Sequence, residues 1–185
     1  MSVNMNMIKF GPAGNKGGTA WEEKGKGEIA KIFVSRDEIS IHSLQFLFVE
    51  NGHFVLSDRH GSDTTSTYFN TVALDFPTEF LTSIRGFYQS SCYASSVLRS
   101  ITFVTNKDTY GPYGKMAPSS TPSSTCKEFI FQLGVDRCFG GFHGTKDYYI
   151  ESIGVYLKTV TPSMITPTNS QVRVTRRVAV KREED

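Results

Sequence analysis

The chain has 185 residues, 38% of them hydrophobic and 21% charged, with 20 Lys and Arg against 18 Asp and Glu for a formal charge of +2. That length supports one sizeable core and not two independent domains, and the near-neutral balance excludes a chain-wide field for nucleic acid or an anionic membrane. The 14 Phe, 8 Tyr and 16 Gly exclude disorder over most of the chain and favour short strands joined by turns.

Residues 1–9 hold no apolar run of signal-peptide length, and no segment reaches the roughly 20 apolar residues of a membrane helix. A short leader over 1–7 and a cytoplasmic or nucleocytoplasmic protein without a membrane span are expected. Next comes Gly11-Pro12-Ala13-Gly14-Asn15-Lys16-Gly17-Gly18-Thr19. Its bare backbone N–H groups could hold a phosphate, but the order of a phosphate-binding loop is not met and no helix-forming run follows. It reads as a glycine turn between two strands, or as a loop that lets a neutral polar ligand such as a sugar approach closely.

Strand-like runs then occupy 29–35, 43–50, 54–57, 71–76, 81–88, 98–105, 129–133 and 150–158. In the second of these Leu44, Phe46 and Phe48 alternate with Gln45, Leu47 and Val49, committing one face to a core and leaving the other partly apolar. His42 and His53 are expected as surface or cross-strand polar residues. Asp58-Arg59-His60-Gly61 collects an acid, a guanidinium and a base, and reads as a polar turn held by a side-chain hydrogen bond and an ion pair. The Ser/Thr/Pro-rich 116–125 should be an exposed, mobile loop. After Lys158 the chain turns Thr/Pro-rich and then mixes Arg173, Arg176, Arg177, Lys181 and Arg182 with acidic residues, so 159–185 is expected as a disordered tail.

Chemistry-bearing patterns are sparse. Cys92, Cys126 and Cys138 are odd in number and widely spaced, which favours reduced thiols over a disulfide framework and gives no paired Cys/His spacing for a metal. No nucleophile elbow occurs, and no carboxylate pair can be placed by sequence, so neither an enzyme nor a cofactor is expected.

Internal repetition is more informative. Ser43-Leu44-Gln45-Phe46, Ser100-Ile101-Thr102-Phe103 and Ser152-Ile153-Gly154-Val155 share one pattern at offsets of 57 and 52 residues. Phe10-Gly11-Pro12-Ala13-Gly14 echoes Tyr110-Gly111-Pro112-Tyr113-Gly114 at an offset of 100, about two such periods. Three units of roughly fifty residues, each too small to close its own core, are therefore expected around a shared one.

The stretch from Phe139-Gly140-Gly141-Phe142-His143-Gly144 through Asp147-Tyr148-Tyr149-Ile150-Glu151 to Ile153-Gly154-Val155-Tyr156-Leu157 resembles the last repeat of the plant jacalin-related lectins. The glycine loop with Trp21-Glu22 is similar to that family's first repeat, and 110–114 to its third. The resemblance runs from Ile8 to Leu157. It implies an all-β β-prism I over residues 8–158, made of three Greek-key four-stranded sheets with pseudo-threefold symmetry. It also implies metal-free binding of mannose/glucose-type glycans, a role in plant defence and a possible homo-oligomer. The 46–61 region is similar to crucifer members that restrict long-distance virus movement. That implies an alternative, a protein-interaction module with weak or lost sugar binding and protein partners in defence.

Residue by residue, the resemblance makes Gly18 a backbone N–H donor to a sugar oxygen. The family's Gly-x-x-x-Asp ligand loop falls on Asp147-Tyr148-Tyr149-Ile150-Glu151, and both named positions differ. Asp147 stands where glycine opens the backbone, while Tyr148 and Tyr149 keep backbone donors and add rings that could stack on a sugar. Glu151 keeps the carboxylate with one more methylene, which moves the acceptor by about 1.5 Å. Outside a ligand site, Glu151 would be an ion pair or a solvated carboxylate at a strand start. The 85–94 segment takes the place of the family's neighbouring recognition loop.

Overall fold

The computed structural model describes residues 6–14, 17–62, 64–90, 96–116 and 125–159. Most of the expected leader, most of the Ser/Thr/Pro loop, Cys92 with the end of the recognition loop, and the tail beyond Thr159 lie outside these residues.

The strands in chain order are β1 (Met7–Gly14), β2 (Thr19–Lys24), β3 (Glu28–Arg36), β4 (Ile41–Glu50), β5 (His53–Leu56), β6 (His60–Gly61) and β7 (Tyr68–Ala73). They continue with β8 (Leu81–Gln89), β9 (Val97–Thr105), β10 (Thr109–Gly114), β11 (Cys126–Gln132), β12 (Phe139–Lys146) and β13 (Ile150–Lys158). They form three antiparallel sheets. The first runs β1-β13-β12-β2, the second β5-β4-β3-β7 with β6 also on β4, and the third β10-β9-β8-β11. This is the expected three-sheet prism, with the chain entering and leaving through the first sheet. Among the described residues no helix is long and apolar enough to cross a membrane.

The alternating pattern of β4 explains how the sheets meet. Leu44, Phe46 and Phe48 are fully buried, while Leu47 and Val49 on the other face stay half-exposed. Phe46 stacks on Phe142 of β12 with ring centroids 4.3 Å apart and planes 18° apart, which ties the second sheet to the first. Ile101 and Phe103 of β9 and Ile153 and Val155 of β13 complete the same core. Each such fully buried side chain contributes about 1.5–3 kcal/mol of hydrophobic stabilisation.

The sequence repeats map onto this symmetry. Each Ser-apolar-x-apolar run lies on β4, β9 or β13, the strands that contact one another at the centre, and Ser43, Ser100 and Ser152 are all buried. The glycine echo pairs in one register: Ala13 faces Ile153 and Gly14 faces Ser152, as Tyr113 faces Ile101 and Gly114 faces Ser100. The second unit carries the same feature in two residues, with His60 facing Leu44 and Gly61 facing Ser43. Gly14, Gly61 and Gly114 have φ of 111°, 95° and 82°, and a Cβ on any of them would collide with the carbonyl oxygen of Glu151, His42 or Arg99 respectively.

Three expectations change. The 11–14 segment is the bulged end of β1 rather than a turn, so the connection to β2 spans only 15–18. Asp58-Arg59-His60-Gly61 is only half a turn, because its last two residues form β6. His42, on β4, is buried and not a surface residue, because Asp37, Thr65 and the Tyr149 ring pack against it.

Candidate functional site

The hairpin between β12 and β13 is built to present a tight loop. Inside its neck, Thr145 N–H donates to Ser152 Oγ at 2.9 Å, and the two hydroxyls lie 2.7 Å apart in a buried pair. Lys146 then pairs with Ile150 across a register shift, and Asp147 N–H donates to Tyr149 O at 3.1 Å. Ile150 is fully buried and anchors the return strand. Asp147 and Tyr148 are exposed, Tyr148 by 73%, whereas Tyr149 is half-buried with its ring against His42.

Glu151 follows Ile150 and is only 2% exposed. Its Oε2 is buried and has no hydrogen-bond partner among the described residues. Among the described residues it is therefore neither a solvated carboxylate nor one half of an ion pair. Gly18, just before β2, lies directly against it. Gly18, at φ 69°, lies so close that a Cβ there would collide with Oε2 and stand 2.7 Å from Lys146 O. Only glycine fits both the backbone angle and the gap. The fold thus brings Gly18, the 147–149 loop and the Glu151 carboxylate together, although they span 133 positions of sequence. Chemically, this is an acceptor lacking a donor beside a bare stretch of exposed backbone. A buried oxygen left unpaired costs about 1–3 kcal/mol, a cost that a hydroxyl-bearing ligand relieves.

The other two units differ at the same register position. In the second, the place of Glu151 is taken by His42, whose Nε2 lies 3.0 Å from Asp37 Oδ2 and whose Nδ1 lies 3.2 Å from Thr65 Oγ1. Burial alone would raise the Asp37 carboxyl, but the His42 ring and the N–H groups of Ile39 and Ser40 outweigh it and hold it below the usual range. In the third unit the place is taken by Arg99. Among these three positions only the first offers a carboxylate.

A second polar group lies where β2 meets the second sheet. His60 stacks on Trp21 with centroids 4.2 Å apart and planes at 14°, and its Nε2 lies 2.8 Å from Glu23 Oε1 in a buried pair. Burial lowers the His60 imidazole despite that carboxylate. On the outer face of the first sheet, Tyr156 O–H donates to Glu22 Oε2 at 2.5 Å between the ammonium groups of Lys9 and Lys24. Burial, with the Glu22 charge adding to it, pushes the Tyr156 phenol up to about 12. The sequence shows Trp21-Glu22 and Asp58–Gly61 as separate patterns, and no local signal encodes the Glu23–His60 contact, 37 residues apart, that brings them together.

A profile of the jacalin-like lectin domain matches residues 10–156. The chain is 39% identical over 168 residues to an Arabidopsis thaliana protein named Restricted TEV Movement 1, covering 86% of this chain and 92% of that one. It is 37% identical over 172 residues to Jacalin-related lectin 2 of the same plant, covering 89% and 91%. A solved structure of a mannose-specific jacalin-related lectin from Morus nigra, in complex with mannose, superposes with a TM-score of 0.70 at 29% identity, covering 86% of this chain and 99% of that one.

Proposed function

The chain belongs to the jacalin-like lectin family, and on that premise we propose that it binds mannose/glucose-type glycans through Gly18, Asp147, Tyr148, Tyr149 and Glu151, with no metal, cofactor or catalysis. The observation that carries this reading is the Glu151 carboxylate, buried under Gly18 with an oxygen that lacks a donor. Two neighbouring sugar hydroxyls donate to this carboxylate, and backbone N–H groups of Gly18 and the 148–149 segment donate back. The exposed Tyr148 ring covers one sugar face. Hydrogen bonds to a charged acceptor contribute about 1.5–3 kcal/mol each, so a shallow site of this kind binds a monosaccharide with a Kd of about 1 mM. A homo-oligomer would raise avidity by presenting several sites together. The setting proposed is plant defence, which the name of the Arabidopsis relative supports, in a cytoplasmic or nucleocytoplasmic protein. Titrating methyl α-mannoside while following amide NMR shifts tests the reading, and no saturable shift at about tenfold above a millimolar Kd would contradict it.

A second reading, a protein-interaction module acting in restriction of virus movement, is supported by the outer face of the second sheet. Phe54 and Phe69 there are 68% and 66% exposed, and Leu56, Leu47, Val49 and Phe33 share the face. Exposed apolar surface of this kind is characteristic of protein contacts. A partner retained through a wash with excess mannoside, and released by Phe54→Asp with Phe69→Asp, would favour this reading. A partner that mannoside elutes would count against it.

A further inference from the structure

The outer face of the second sheet carries a diagonal apolar stripe. Phe54 opposite Val49 and Leu56 opposite Leu47, then Phe33 on β3 and Phe69 on β7, follow one another from one edge of the sheet to the other. The Phe33 and Phe69 rings stack with centroids 6.0 Å apart. Even so, Phe54, Leu56 and Phe69 are 68%, 55% and 66% exposed, so nothing among the described residues covers the stripe. We propose that it is the docking site of this chain's own 172–180 segment, laid across the sheet face as a strap that an outside partner would have to displace. The inference concerns the face of the second reading above and is independent of sugar binding.

Pattern, length, reach and charge match the segment to the stripe. In Val172-Arg173-Val174-Thr175-Arg176-Arg177-Val178-Ala179-Val180 the four valines fall on one side of an extended chain, with only Arg176 between them. Burying that side against the stripe removes both apolar surfaces from water. From Val172 to Val180 an extended chain spans about 26 Å. The stripe runs six residues along β4, from Val49 opposite Phe54 to Ser43, which is in register with Phe69 through Ser35. With three strand spacings across, its diagonal is about 25 Å. The chain also leaves the prism at the right end. Thr159 N–H donates to Asn6 O at 3.2 Å, Lys158 N–H to Cys138 O at 2.6 Å and Gly25 N–H to Gly140 O at 3.0 Å. Lys26 Nζ then lies 3.3 Å from Glu50 Oε1, beside the turn that leads into Phe54. These steps put Thr159 about four strand spacings, roughly 20 Å, from that turn, and the 12 residues from 160 to 171 reach up to about 40 Å. Charge permits the fit. Arg173 and Arg177 alternate to the solvent side, while Arg176 comes to the middle of the stripe. There the Phe33 ring offers a π face, and Gln45, whose amide N–H donates to Ser57 O, offers its oxygen. Lys31 beside them is exposed, so water screens its repulsion, and Glu28, in register with Val49, is already paired with Arg137.

The test is methyl-to-aromatic NOE spectroscopy on the full chain, with the backbone shifts of 172–180 read in parallel. Extended-chain shifts are expected there, with NOEs from the Val172 or Val174 methyls to the Phe54 ring and from Val178 or Val180 to the Phe69 ring. Both contacts should be lost, and the shifts should move to coil values, in two double variants. Val174→Asp with Val178→Asp changes positions beyond β13, and Phe54→Asp with Phe69→Asp changes exposed positions, so each keeps the prism. Coil shifts without NOEs in the natural chain, the result for a face left open to an outside protein, would overturn the proposal. Contacts that persist in either variant would do the same. So would NOEs that arise only between chains in a mixture of labelled and unlabelled protein, which would make the occupant a second copy. None of these outcomes bears on Gly18 and Glu151, which the mannoside titration tests separately.

Discussion

Tyr149 meets the ring of His42 edge-on, with centroids 4.8 Å apart and planes at 78°. The 147–149 loop of the first unit therefore rests on the residue that holds, in the second unit, the position of Glu151. His42 is itself clamped by Asp37 and Thr65, so the Tyr149 side of the loop inherits its rigidity from a neighbouring sheet. Replacing His42 with alanine removes that support. The variant should lose about 1–3 kcal/mol of stability and bind methyl α-mannoside about threefold or more weakly, as read by thermal unfolding and NMR titration. Unchanged affinity would show that the loop holds its shape without His42.

Gly18 admits no side chain. Gly18→Ala places a methyl group against Glu151 Oε2 and Lys146 O at a φ of 69°, so the connection must shift away from the carboxylate. The expected outcome is at least a tenfold loss of sugar affinity with a stability cost of about 1 kcal/mol, because the loop moves while the core stays intact. Wild-type affinity in this variant would contradict the placement of the ligand between Gly18 and Glu151.

Acidification should weaken the fold through two buried imidazoles. Burial holds both His60 and His143 below their ordinary value of 6.5. Unfolded imidazoles take up protons near that pH and the folded ones only below it, so the unfolded state binds more protons as the pH falls. The stability contributed by these groups is complete above about pH 6.5 and declines below it, by up to about 1.4 kcal/mol for each unit of depression. A melting temperature that falls between pH 7.5 and 5, and falls less in His60→Gln, is the expected record. A melting temperature that is level or rises over this window would contradict it.

At the alkaline end the groups are phenols. Tyr110 and Tyr156 are both pushed up to about 12, first by burial and then by the carboxylates of Glu79 and Glu22. Unfolded phenols ionise near 10, so stability is complete below that pH and is lost as the pH climbs towards 12. Phenolate absorbance should show these two of the eight tyrosines ionising only together with unfolding, and all eight ionising near pH 10 in the folded protein would refute the assignment.

The core of the prism was legible because β4, β9 and β13 repeat one serine-and-apolar pattern, and alternation in β4 named its buried face correctly. β1, β10 and β12 escaped strand assignment because glycines interrupt their alternation. β6 escaped because only Gly61 opposite Ser43 marks it as the third copy of the glycine feature. Candidate site residues came from family resemblance, whereas the closeness of Gly18 to Glu151 is a product of tertiary folding. The burial of Glu151 was not legible at all: a carboxylate one residue into a strand is ordinarily solvated, and here Gly18, 133 positions away in sequence, lies against it.

The central claim is that the Glu151 carboxylate is the sugar acceptor. It is tested most directly by titrating methyl α-mannoside into the natural protein and Glu151→Gln, with unfolding of both followed in parallel. Glutamine keeps the shape but removes the charge and one acceptor. The account predicts a saturable response in the natural protein, at least a tenfold weaker one in the variant, and a melting temperature in the variant that is unchanged or higher, since a buried charge has been removed. Equal affinities in the two proteins would contradict it.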